Sequence, residues 1–248
     1  MNNDMFLIWR SACVTDVGKV RTINEDACLD LPELGLWLVA DGMGGHMAGD
    51  VASHLIVDSC QQISEPSDLD SFIADIQYRL FDVNRNLREM SSQQFNNATI
   101  GSTVAALLAF DKQCACVWVG DSRIYRLRNN QLVQLTRDHS MVEEYIEEGF
   151  SNREQVINSN MANVLTRAIG AQQELEIDVK IEEMQDGDCF LLCSDGLYKE
   201  LTEQEIREIM NVNSDCASIS NTLLNQALNR DAKDNITVAV VEISDGYT

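Results

Sequence analysis

Four times in this chain an apolar, strand-like run is joined to an aspartate at a turn, and that recurrence limits the folds open to it. Leu36 to Ala40 leads into Asp41-Gly42, Cys114 to Val119 into Gly120-Asp121, and Cys189 to Cys193 into Ser194-Asp195-Gly196. Asp234-Asn235 stands directly before the fourth run, Ile236 to Val241. A fifth acidic cluster, Asn24-Glu25-Asp26, precedes a short apolar stretch, with Arg21 just upstream. Any one of these reads equally well as a turn, because Asp and Asn side chains bond their own backbone there. Five together suggest a sheet core that gathers carboxylates at one end. After Asp41 the loop carries Gly42, Gly44, Gly45 and Gly49, which lets backbone carbonyls and amides approach a ligand closely.

Periodicity orders the rest. Ile8 to Val14 alternates as a first strand, and Ala27 to Leu31 with Leu36 to Ala40 reads as a strand pair around Pro32-Glu33. Val51 to Ile63 and Leu69 to Met90 each carry one apolar stripe at helical spacing, so both can cover a sheet. Ser102 to Phe110, Cys114 to Val119, Ile124 to Arg128 and Leu132 to Leu135 read as an antiparallel meander, with Asn129-Asn130 a two-residue turn suited to positive φ. Asp138 to Asn163 is acidic and weakly apolar, with short helices expected over Met141 to Glu148 and Arg153 to Ile157, and looks like an insertion or lid. Strands over Val164 to Ile169, Leu175 to Ile181 and Cys189 to Cys193 follow. Helices near Thr202 to Met210 and Ala217 to Leu228 precede a last strand, Ile236 to Ile243; Thr202 and Glu205 have capping-box spacing. Helices come in pairs rather than alternating with strands, which argues against a doubly wound parallel sheet. The expectation is α+β: two mainly antiparallel sheets flanked by helix pairs, in a single domain over residues 1–248.

The formal charge of −22 disfavours nucleic acid or an anionic membrane surface as partner. No stretch reads as a secretion signal or a membrane span, so a cytoplasmic protein is expected. Eight cysteines include no CxxC pair, and Cys114, Cys116, Cys189 and Cys193 lie inside apolar runs. Reduced, buried thiols are therefore expected throughout.

Clustered carboxylates without a histidine or cysteine set favour a hard, oxygen-loving ion, Mg²⁺ or Mn²⁺, over zinc. Calcium stays open, although the EF-hand loop is absent. Two such ions sharing an aspartate can acidify a water and stabilise charge on a phosphoryl group, and Arg21 is suited to hold a phosphate with its two-pronged fork. Phosphate-ester hydrolysis is the reaction these residues suggest. A scaffold that only binds phosphoprotein and a Ca²⁺-responsive module are the rival readings.

Together the stretches Arg21-Thr22-Ile23-Asn24-Glu25-Asp26, Val39 to His46, Gly101-Ser102-Thr103, Val119 to Tyr125, Asp138-His139-Ser140, Leu165 to Gly170, Ser194-Asp195-Gly196-Leu197 and Asp234 to Val238 resemble, in order, the bacterial branch of the PP2C (PPM) protein serine/threonine phosphatases. The resemblance implies a four-layered α-β-β-α sandwich and hydrolysis of phosphoserine and phosphothreonine by a metal-activated water. It implies that Asp41 bridges two Mn²⁺ or Mg²⁺ ions, that Gly42 lends its carbonyl, and that Asp195 and Asp234 complete one ion's ligands. Glu25 and Asp26 would serve the second ion, partly through waters. Asp121 with Asp195 matches a weaker third-ion site, Arg21 the phosphate-binding arginine, and residues 138–163 the flap. The implied partners are phosphoprotein substrates and a cognate serine/threonine kinase, and the chain is expected to act as a monomer. Where animal members carry a proposed general-acid histidine, this chain has Met43; His46 lies in the same loop, where it can take part in proton transfer or serve a helix start or a metal-water hydrogen bond.

Overall fold

The structure, a computed structural model, describes residues 6–44, 48–94, 99–147, 164–212 and 214–246. The first sheet contains β1 (Phe6–Asp16), β7 (Arg123–Arg128), β8 (Gln131–Gln134), β10 (Cys189–Cys193) and β11 (Ile236–Gly246), in the order β1-β11-β10-β7-β8. The second contains β2 (Asp26–Leu31), β3 (Leu36–Met43), β5 (Val104–Phe110), β6 (Gln113–Val119) and β9 (Asp178–Glu183), in that order, with β4 (Gly101–Ser102) paired to β3. All pairings are antiparallel.

Alternation along β3 builds the layers. Trp37 and Val39 point into the core between the sheets, where they meet Leu107, Phe190, Leu192 and Val241. Leu36, Leu38 and Ala40 point the other way, against α1 (Ala48–Gln61) and α2 (Leu69–Gln94). Because both faces are covered, β3 reads as a continuous apolar run rather than an alternating one. On the far side, Leu191, Val238 and Val240 pack against α5 (Glu203–Met210) and α6 (Cys216–Leu228). The result is the expected α-β-β-α order. Local signals held as well: Thr202 and Glu205 form a complete capping box, and Asn129 and Asn130 take φ of 51° and 61°.

Four expectations are corrected. The supposed meander is divided, because β5 and β6 belong to one sheet and β7 and β8 to the other, so Gly120-Asp121-Ser122 is a crossing between sheets rather than a hairpin. Val164 to Ile169 is not a strand: Met141 donates to the Val164 carbonyl and Thr166 to that of His139, while Ile169 exchanges bonds with Ser102, so no single neighbour offers a ladder. The strand expected at Leu175 begins at Asp178, where β6 first provides a partner at Trp118; Leu175 and Ile177 pack instead on the α1/α2 side. Finally, Cys13 on β1 and Cys28 on β2 are joined as a disulfide, not held as separate thiols. Stacking β1 over β2 creates that pairing across the two sheets, and no local spacing signals it; the other six cysteines are free and buried. Of the lid region, α3 (Met141–Glu147) is present and Ser140 bridges Leu165 at its base. Residues 148–163, including the helix expected over Arg153 to Ile157, lie outside the described residues.

Candidate metal centre

The register of β2 with β3 sets Asp26 directly opposite Asp41, so one sheet brings two carboxylates to the same end. Beyond Asp41 the chain passes very close to the start of α1. A Cβ on Gly42 would lie 2.1 Å from the Gly49 carbonyl oxygen and 2.6 Å from that of Glu25, and one on Gly49 would lie 2.5 Å from Glu25 Oε1. Only glycine permits this approach, which lets the Gly49 amide donate to the Glu25 carboxylate. Thr103, which interrupts the strand expected from Ser102 to Phe110, accepts the Asp41 amide on Oγ1 (3.1 Å) and donates its own amide to the Asp41 carbonyl (2.8 Å).

The first sheet contributes from across the core. Ser194 Oγ and Thr237 Oγ1 each donate to Asp26 Oδ2 at 2.7 Å. Asn235 Oδ1 accepts the Glu25 amide at 2.8 Å while its Nδ2 donates to the Val17 and Ile23 carbonyls at 3.0 Å, fixing the loop that carries Arg21. Arg21 Nε lies 3.0 Å from Asp234 Oδ1 and its Nη2 3.0 Å from Oδ2. Asp121 sits where the chain crosses between sheets. Its carbonyl and Oδ2 both lie 3.1 Å from the Tyr198 hydroxyl, at the end of a four-residue helix, α4 (Asp195–Tyr198), that sequence patterning did not suggest. Arg123 lies 3.6 Å over the Tyr198 ring and forks onto Asp138, and His139 Nδ1 accepts the Gly120 amide at 3.0 Å. Asp195 is ion-paired with Lys199.

Arg21, Glu25, Asp41, Asp121, Asp195 and Asp234 thus line one cavity of about 510 Å³, with the Gly42 backbone in its wall. Asp26 stands behind Asp41 and is almost fully buried. Met43 also faces the cavity, whereas His46 lies outside the described residues. Ser194, Asn235 and Thr237 are supporting residues whose roles the sequence did not indicate; Tyr198 and Lys199 carried no signal of their own.

Burial, then Asp26, Asp195, Asp121 and Asp234, pushes the Asp41 carboxyl well above the usual carboxylate range. Burial raises Asp26 to about 7 despite its two hydroxyl donors, and raises Asp121 to about 7 with Asp195 adding to it. Glu25 is raised by burial, partly offset by Arg21. This mutual repulsion calls for cations. The donors are oxygen throughout, with no histidine or cysteine on the cavity wall among the described residues. Nor do three such side chains close around one point there as a ready-made cage. That suits Mg²⁺ or Mn²⁺, which keep several waters, better than zinc.

A pH dependence follows with a definite sign. In the folded protein Asp26 and Asp121 hold protons up to about pH 7, against an ordinary value of 3.8, so the folded state binds more protons across that window and loses stability as pH rises through it. In chelator, the melting temperature is expected to be several degrees higher at pH 5 than at pH 7.5. Excess Mn²⁺ reverses the order, since ligands must be deprotonated to bind. The same order in both conditions would count against the site.

A family model described as Protein phosphatase 2C matches residues 19–234. The serine/threonine phosphatase stp of Listeria monocytogenes serotype 4b is 34% identical over 235 residues, covering 92% of this chain and 93% of the relative. Among solved structures, PppA of Pseudomonas aeruginosa, described as a key regulatory component of T6SS, superposes with a TM-score of 0.89 at 41% identity over 97% of this chain and 100% of that one. The catalytic domain of the serine/threonine protein phosphatase PstP, solved with two manganese ions, superposes with a TM-score of 0.85 at 31% identity over 96% of this chain and 100% of that one.

Proposed function

The chain belongs to the protein phosphatase 2C family and hydrolyses phosphoserine and phosphothreonine in proteins by metal-dependent catalysis, and from that premise we propose how its own residues divide the work. Asp41 would be shared by two ions, Mn²⁺ or Mg²⁺; the Gly42 carbonyl, Asp195 and Asp234 would help hold one, and Glu25 and Asp26 would serve the other, partly through waters. Asp121 with Asp195 would hold a weaker third. The observation that carries this reading is the convergence of carboxylates from both sheets on one cavity with Arg21 beside them. When bound, the ions supply an acidified water and neutralise charge on the phosphoryl group.

Arg21 binds and orients the phosphate. Its fork already meets the Asp234 carboxylate through Nε and Nη2, the two-pronged arrangement that a phosphate takes. Asn235, by tying the Val17 and Ile23 carbonyls and the Glu25 amide together, keeps the arginine loop in register with the carboxylates. Asp26 is held in place by Ser194 and Thr237, both donating to its Oδ2.

The same reading covers residues 1–248 as one phosphatase domain with a flap at 138–163. It takes the enzyme to be a cytoplasmic monomer acting on phosphoproteins and opposing a cognate serine/threonine kinase. Likeness to PppA favours a setting in T6SS regulation, which a phosphoproteome comparison with and without the protein would test. Among the described residues no helix is long and apolar enough to cross a membrane.

Purified protein is expected to release phosphate from p-nitrophenyl phosphate and from a phosphothreonine peptide with Mn²⁺ present, and to stop when EDTA is added. Release that ignores both metal and chelator, or no release at all, would overturn the reading.

A further inference from the structure

Arg21 and Lys199 are the only cations among the described residues that line the carboxylate cavity. Lys199 follows Asp195 by four positions, so α4 folds its ammonium back onto Asp195 Oδ2. Tyr198, one residue earlier, holds Asp121. Burial opposes the charge on Lys199, but Asp195 first, and then Asp121 and Asp234, outweigh it, so the ammonium stays protonated. One short helix therefore presents a neutral donor to Asp121 and a cation to Asp195.

An exposed pair at this spacing contributes little by itself. This pair differs because the Asp195 side chain is only 13% exposed, against 39% for Lys199, and its charge adds to the burial that raises Asp41 and Asp121. A divalent ion held by Asp121 and Asp195 would sit beside the ammonium already on Asp195 Oδ2, and like charges at that range repel. We propose that Lys199 is the resident cation of the Asp121–Asp195 pair, which a third ion must displace, so that this residue sets the weak affinity of that ion. The inference rests on the ligand roles proposed above for Asp121 and Asp195, and it makes Lys199 a positioning residue rather than a catalytic one.

Metal-stripped wild type, Lys199→Met and Lys199→Arg would be titrated with Mn²⁺ by isothermal calorimetry at fixed pH and salt. Lys199→Met, similar in length but uncharged, is expected to bind the weakest ion roughly tenfold more tightly and to change the two tighter ions, one of which shares Asp195, by less. Lys199→Arg keeps the charge and should resemble wild type. In chelator, Lys199→Met should also melt at a lower temperature than wild type, with Mn²⁺ abolishing the difference, as expected when a carboxylate loses its counter-charge. Adding Asp121→Asn to Lys199→Met should remove the gain in affinity, because the two residues act on the same ion. If the Met variant fails to fold, Lys199→Gln removes the same charge and gives the same readout. An unchanged weakest-ion affinity, with the tighter ions still bound, would overturn the proposal while leaving the paired centre intact. No Mn²⁺ binding in any form would defeat the metal-centre reading, and this proposal with it.

Discussion

Asp41→Ala is expected to lose at least about a thousandfold in turnover on a phosphothreonine peptide while remaining folded. Burial, and then Asp26 opposite it, Asp195, Asp121 and Asp234, push the Asp41 carboxyl well above the usual carboxylate range, so a shared pair of ions would relieve it. Among the described residues no donor reaches its side chain; its backbone alone is tied, to Ser102 and Thr103. Removing the carboxylate thus breaks no hydrogen bond and relieves repulsion. In chelator the variant should melt at or above the wild-type temperature, and excess Mn²⁺ should raise its melting temperature less than it raises that of wild type. Circular dichroism, thermal melts with and without Mn²⁺, and steady-state kinetics measure all three effects. Wild-type turnover would remove Asp41 from the site, and a large loss of stability in chelator would make it a structural residue.

Asp121→Asn should separate the outer ion from the inner pair. Asparagine keeps an oxygen for the Tyr198 hydroxyl and fits the same crossing, so fold and crossing geometry should persist. The lost charge is the one that would hold the third ion with Asp195. Turnover on phosphopeptide is expected to fall roughly ten- to a hundredfold, and any further rise in rate at high Mn²⁺ should vanish. Calorimetry should still show the two tighter ions, because Asp41, Gly42, Asp195 and Asp234 are untouched. If Asp121 only caps its turn, the asparagine variant will match wild type in rate and in its response to Mn²⁺. Loss of the tighter ions would instead mean that Asp121 belongs to the inner pair.

Much of this was legible in sequence because it is local. The capping box at Thr202 and Glu205, the positive φ at Asn129 and Asn130, and the pairing of Asp26–Leu31 with Leu36–Met43 depend on neighbours a few residues apart, where spacing and turn chemistry act directly. What failed was non-local. Apolar character at Val164 to Ile169 is the same whether those residues find one partner or three, and only the surrounding chain decides. Cys13 and Cys28 lie 15 residues apart with nothing in their spacing to pair them, until stacking of the two sheets does so. Lys199 carries no signal in the sequence, and only α4 turns it onto Asp195.

By itself the sequence determined the chemistry available: an excess of carboxylates at strand ends, glycines beside Asp41, and an arginine upstream, in an order that matches one family along nearly the whole chain. Residue type fixes charge, donor hardness and backbone freedom before any folding occurs. The tertiary structure decided which of these groups meet. Asp121 reaches the cavity only because the chain leaves one sheet after β6 and enters the other at β7. Asp26 is held by hydroxyls of Ser194 and Thr237, 168 and 211 residues away. The reason is that two sheets packed face to face bring distant strand ends together, and burial there strengthens the repulsion among Asp26, Asp41 and Asp121 that the sequence could only supply in kind.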